Sequence, residues 1–178
     1  MILLARHGQT AYNAAGRFQG HLPVPLDEVG CEQAAVLAEA AAGLNIAELW
    51  CSPLARASET AAVVGRRLAL EPREDARFAE TDCGNWTDRW FADVQRDEPE
   101  AFAQFAAGDP GFGFPGGESF GQQTRRVVEG LEALRARDAT PALVVCHGVT
   151  IRLALANATG VDPREVAPVG NAEVVELP

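Results

Sequence analysis

Two short apolar runs, Ile2 to Ala5 near the start of the chain and Ala142 to Cys146 near its end, each run out at a histidine–glycine pair. The first reaches it through Arg6 (Arg6-His7-Gly8) and the second directly (His147-Gly148). A short apolar run without polar alternation suits a parallel strand buried on both faces, and its abrupt polar stop suits the edge of the sheet. A third run, Ile46 to Cys51, ends at Ser52-Pro53. Between these runs lie segments of helical periodicity. Asp27 can cap a helix whose Leu37, Ala41 and Leu44 share a face, with Gly43 near its end. Residues 54 to 69 form a further helix, and a long one runs from Glu118 to about Arg137 with Val127, Leu131 and Leu134 inward. Another starts near Val149, and a last strand covers Ala172 to Leu177. Residues 6 to 26 and the Gly/Pro-rich stretch 108 to 117 read as loops. The stretch 87 to 107 reads as two short helices broken near Pro99.

Strands alternating with helices predict an α/β fold: a three-layer αβα sandwich with a mostly parallel central sheet and a small helical lid. With 178 residues and no repeat, linker or low-complexity tract, residues 1 to 178 are expected to form one domain. Only the apolar run Met1 to Ala5 precedes the first charge, too short for a secretory leader, so a cytoplasmic location is expected. A net charge of −10 argues against nucleic acid or anionic membrane as partners. Cys31, Cys51, Cys83 and Cys146 lack paired short spacing, so neither a zinc site nor a disulfide framework is expected.

In open α/β sheets ligands bind beyond the carboxyl ends of the strands. Arg6 and His7, His147, and Arg56 just past Ser52-Pro53 all fall at such ends. Two histidines and two arginines at three strand ends are much stronger evidence of a site than one polar pair, and planar guanidinium forks are able to match the oxygens of an anion. The N–H groups around Gly148, at a helix N-terminus, add an anion site.

The ordered segments LARHGQTAYN, SPLARASET, FAETDCGNW, FPGGES and VVCHGVTIR resemble the successive signatures of the histidine phosphatase superfamily, phosphoglycerate mutase-like branch. The resemblance implies His7 as a nucleophile that carries a phosphoryl group, with Arg6, Arg56 and His147 around that group and Glu80 as proton donor. Asp82, two residues on, is the competing carboxylate. His7 must be neutral at its attacking nitrogen, whereas a charged imidazole would best suit His147. A working Glu80 acid calls for a partly desolvated carboxyl with a raised pKa. By the same resemblance Asn13 contacts the phosphate, and Gln19 and Gly20 border the rest of the substrate, with Thr10 and Arg17 in the same loop. Glu118 and Ser119 border either the site or the helix start, His21 reads as a loop residue near the mouth, and Arg152 suits an ion pair as well as the pocket.

The expected function is a phosphomonoesterase acting on a small phosphorylated metabolite, without metal or cofactor. A phosphoglycerate mutase and a catalytically silent phospho-ligand binding module are the alternatives. A homodimer is compatible with the sequence, but no surface stripe marks its interface. Aromatic residues 90 to 120, among them Phe112 and Phe114, either anchor short helices or wall the leaving-group pocket. Many relatives carry a bulky apolar residue where this chain has Cys83, and a glycine where it has Thr87-Asp88, next to the leaving group.

Overall fold

The computed structural model describes residues 1–137 and 140–178. Strand β1 (Ile2–Arg6) sits near the middle of a five-stranded sheet with β2 (Glu48–Cys51), β3 (Arg73–Glu74), β4 (Ala142–Cys146) and β5 (Val174–Leu177), in the order β3-β2-β4-β1-β5. All pairings are parallel except β1 with β5. The apolar runs fill the centre because only side chains buried on both faces tolerate that position. β3 escapes a periodicity reading: it is two exposed residues, Arg73 and Glu74, with no apolar pattern.

The pleat sends alternate residues of β1 to opposite faces. Ile2 and Leu4 pack with Val127, Leu131 and Leu134 of α6 (Phe120–Arg135) and Ile151 of α7 (Gly148–Thr159). Leu3 and Ala5 pack with Leu37 and Ala41 of α2 (Glu28–Ala42) and with Ala57, Ala61 and Val64 of α3 (Ala55–Leu68). Helices thus cover both faces of the sheet. No helix among the described residues is long and apolar enough to cross a membrane.

Local chemistry sets the helix ends. The Asp27 carboxylate accepts from the Gly30 N–H at 2.7 Å, capping α2. Ser119 and Gln122 form a reciprocal capping box at the start of α6. The helix therefore begins at Phe120, and Glu118 lies outside it, paired with Arg126 at 2.7 Å. Leu44 departs from the expected core face: α2 stops at Ala42, and Leu44 is 36% exposed in the turn beyond. The segment 6 to 26 also differs from the expected loop. It holds a one-turn helix α1 (Ala11–Ala15), closed by a Thr10–Asn13 capping box and by Gly16 in the left-handed region at φ 70°.

Two short helices, α4 (Phe91–Asp97) and α5 (Pro99–Ala107), break at Pro99 as expected and form a cap beside the sheet. A separate core holds the cap down: Phe18, Trp86, Val94, Phe112, Phe114 and Phe120 are buried together. The Phe112 and Phe114 rings meet edge to face with centroids 4.9 Å apart, an arrangement worth about 0.5–1.5 kcal/mol beyond area burial.

The loop after β1 touches the first turn of α2 backbone to backbone. A Cβ on Gly8 would lie 2.4 Å from the Gly30 carbonyl oxygen, and one on Gly30 would lie 2.0 Å from that of Gln9. Gly30→Ala must push the His7 loop off the helix and is expected to lower stability by about 1–3 kcal/mol. Gly43→Ala, at φ −83° with its nearest neighbour 3.7 Å away, serves as the near-neutral comparison. Urea unfolding of both variants checks this.

Candidate active site

The register of β1 against β4 pairs Arg6 with Cys146, and the His7 N–H donates to the Cys146 carbonyl at 3.0 Å. The residues that follow, His7 and His147, therefore leave neighbouring strands at the same level. Their rings meet edge to face with centroids 5.1 Å apart, and both are buried. His7 Nδ1 lies 2.6 Å from the Gly8 carbonyl oxygen. A carbonyl can only accept, so Nδ1 carries the proton and Nε2 keeps its lone pair. Burial, and after it the Arg56 charge, holds the imidazole of His7 well below its ordinary pKa. The same two causes act on His147. A charged His147, favoured on chemical grounds from sequence, is thus opposed by desolvation and by a neighbouring cation. His147 Nε2 instead pairs with Ser52 Oγ at 2.8 Å.

Two guanidinium groups flank the histidines. Arg56, fully buried on α3, donates to the carbonyls of Gly20 (3.0 Å) and Leu22 (3.3 Å). Arg6 donates to the Val169 carbonyl at 2.8 Å. Burial lowers the pKa of both, yet arginine starts so high that both stay charged. Gly148 opens α7 beside Arg6, and the preceding His147 gives that helix no side-chain cap. Among the described residues, the buried side-chain polar atoms without a hydrogen-bond partner are Arg6 Nε, Arg56 Nε and His147 Nδ1.

Arg6, His7, Arg56, Glu80, Asn13, Gln19, Gly20 and Gly148 all line one cleft. Three other candidates are not among the lining residues: His147, which is fully buried, Thr10 and Asp82. Thr10 is buried beneath the loop, capping α1 and donating to Gln19 Oε1 at 2.8 Å. Asp82 turns away from the cleft and accepts from the Gly84 N–H at 3.0 Å. His21 stands outside the cleft as well, its Nε2 bonded to the Glu80 carbonyl at 2.7 Å. Ser119 is occupied as the α6 cap. Arg17 and Arg152 also line the cleft. Rather than forming an ion pair, Arg152 donates to the carbonyls of Pro163, Ala106 and Ala107.

Sequence reasoning missed the groups that hold Glu80. Its Oε1 accepts from the Thr81 N–H at 3.0 Å and from Gln123 Nε2 at 3.3 Å. Gln123, fully buried, also donates to Thr150 and accepts from the Thr81 hydroxyl. Arg126 grips the carbonyls of Arg77, Ala79 and Glu80 and the Glu118 carboxylate. Gln123 carries a detectable signal: it shares the inward stripe of Val127, Leu131 and Leu134, where an amide is out of place. Ser52 stands at a strand end like His147, so the same rule selects it.

Residues 2–178 match the model of the histidine phosphatase superfamily (branch 1). A bifunctional protein of Mycobacterium tuberculosis is 37% identical over 160 residues, covering 86% of this chain and 43% of that protein. The chain thus spans less than half the length of the first curated relatives it matches. Phosphoserine phosphatase 1 of Hydrogenobacter thermophilus is 32% identical over 162 residues, with 90% of this chain and 77% of that one covered. Among solved structures, a mycobacterial glucosyl-3-phosphoglycerate phosphatase in complex with VO3 superposes with a TM-score of 0.91 at 31% identity, over 97% of this chain and 90% of its own. With a phosphatase fold around paired histidines and arginines, and with its family's model matched almost end to end, the chain belongs to the histidine phosphatase superfamily.

Proposed function

We propose that this protein is a phosphomonoesterase that hydrolyses a small phosphorylated metabolite through a phosphohistidine on His7. One observation carries the reading: Arg6, Arg56 and His147, grouped about His7, own all the unpartnered buried polar atoms among the described side chains. Each is a donor or can be one, and a phosphate dianion supplies acceptor oxygens for all three. The Gly8 carbonyl aids His7 by fixing the tautomer with Nε2 free. Nε2 attacks phosphorus, the ester P–O bond breaks, and its electron pair leaves on the ester oxygen. Glu80 protonates that oxygen. Water then attacks the phosphohistidine, loses a proton to the Glu80 carboxylate and releases inorganic phosphate, which restores the Nε2 lone pair.

His147 needs no charge in this scheme. Its Nε2 pairs with Ser52 Oγ, a hydroxyl able to donate; in the tautomer that accepts there the proton sits on Nδ1, and a neutral N–H still donates to phosphate. The arginines supply the charge neutralisation for which other phosphatases use metal ions. Glu80 rather than Asp82 is the acid because Glu80 lines the cleft with His7, while Asp82 is occupied at Gly84.

Hydrolysis of p-nitrophenyl phosphate in excess EDTA tests the reading. Turnover is expected to persist in wild type and to fall by about 10⁴-fold or more in His7→Ala. Full activity in that variant would remove the nucleophile from the scheme. Glu80→Gln should lose about 10²–10⁴-fold on an alkyl phosphate and far less on the nitrophenyl ester, whose leaving group needs no proton.

The neutral imidazoles have a thermodynamic consequence. His7 and His147 take up protons less readily folded than unfolded, so the unfolded chain binds more protons just below the ordinary histidine value. Their stabilising contribution is present in full above about pH 6.5 and is lost as pH falls, at up to about 1.4 kcal/mol per pH unit for each imidazole. Urea unfolding between pH 7.5 and 5.5 should show a shallower dependence in His7→Asn and His147→Asn than in wild type.

A further inference from the structure

The same cleft carries an apolar lining of Phe91, Phe105, Phe114, Val149, Pro168 and Val169. Two further cations line it, and both are engaged. Arg152 donates from all three guanidinium nitrogens to main-chain carbonyls at 2.6–3.4 Å. Arg17 lies between the rings of Tyr12 and Trp90, at 4.7 and 5.0 Å from their centroids. It is also gripped by a single residue, Asp88. Arg17 Nε and Nη2 donate to the Asp88 carbonyl at 3.2 and 2.8 Å, and Nη2 meets the Asp88 carboxylate at 2.5 Å. The same carboxylate accepts from the Tyr12 hydroxyl.

Asp88 makes these contacts from a backbone conformation that side chains avoid, φ 71°, in the left-handed region that favours glycine. In that conformation its main chain and its side chain meet one guanidinium. A carboxylate at this place offsets the positive charge that would otherwise receive a second anionic group on the substrate, and the chain's net charge of −10 adds no attraction.

We infer that the cleft selects phosphomonoesters of apolar or aromatic alcohols, and that Asp88 is a specificity-determining residue that withholds Arg17 from substrates bearing a carboxylate. This inference rests on the phosphomonoesterase reading. The apolar wall supplies affinity through buried area. A carboxylate brought against it would lose water and meet, in Arg17, a guanidinium whose charge the Asp88 carboxylate already offsets.

The test compares 2-phenylethyl phosphate with 3-phosphoglycerate, both esters of primary alcohols, so that leaving-group strength is similar. Wild type should favour the phenylethyl ester by about tenfold or more in kcat/KM, chiefly through KM. Asp88→Asn keeps a side chain that tolerates the left-handed backbone and removes the charge. It should shift the ratio toward 3-phosphoglycerate by about tenfold, and Asp88→Gly should do likewise if the asparagine variant folds poorly. Adding Arg17→Gln to either variant should abolish the shift. Equal or better turnover of 3-phosphoglycerate by wild type would overturn the inference and leave the phosphatase reading standing. So would a ratio unmoved in both Asp88 variants. Failure of wild type to hydrolyse either ester or p-nitrophenyl phosphate would overturn the phosphatase reading and the inference with it.

Discussion

The parallel pairing of β1 with β4 is the constraint on which the site depends. Its register sets Arg6 opposite Cys146, and one main-chain bond from His7 to Cys146 extends the ladder past the strand. Two side chains separated by most of the chain are thereby brought ring to ring. A parallel register slipped by one residue would send every β1 side chain to the wrong face. The cores on the two faces forbid that slip, because Ile2 and Leu4 belong to one and Leu3 and Ala5 to the other. The hydrophobic cores therefore hold the histidines in place indirectly, by locking the strand that carries them.

Around that pair the protein assembles positive charge where water is scarce. In a chain of net charge −10 the arginines near His7 cannot rely on the general field. Arg56 and Arg6 are instead held by backbone carbonyls of the surrounding loops, which satisfy part of each guanidinium without neutralising it. Carbonyl oxygens are well suited to this: they orient a cation and stabilise it in a low-dielectric setting while leaving its charge for an anion. The same cations, together with burial, keep both imidazoles neutral. One electrostatic arrangement therefore leaves the His7 ring unprotonated at Nε2 and places two guanidinium groups beside it.

The cap follows a different logic. It packs as a third core through Phe18, Trp86, Phe112 and Phe114, separate from the two on the sheet. The two readings of the aromatic stretch divide between residues: Phe112 serves only as an anchor, whereas Phe114 both anchors and reaches the cleft. Glu80 stands at the junction, held from the sheet side by Gln123 and Arg126 of α6.

Much of this was readable in the sequence because it depends on short-range rules. Apolar runs mark β1 and β4, a side-chain cap marks the start of α2, and strand ends mark Arg6, His7 and His147. The sequence by itself determined the α/β class and most element boundaries, and it marked Arg6, His7 and Arg56, which line one cleft. Tertiary structure alone decided that Thr10 supports the loop from below and that Asp82 faces away. It also decided that Ser52 holds His147 across 95 positions and that Asp88 holds Arg17 across 71. A hydrogen-bond partner distant along the chain leaves no periodicity and no cap pattern. It is chosen by which polar groups are buried side by side once the sheet has closed.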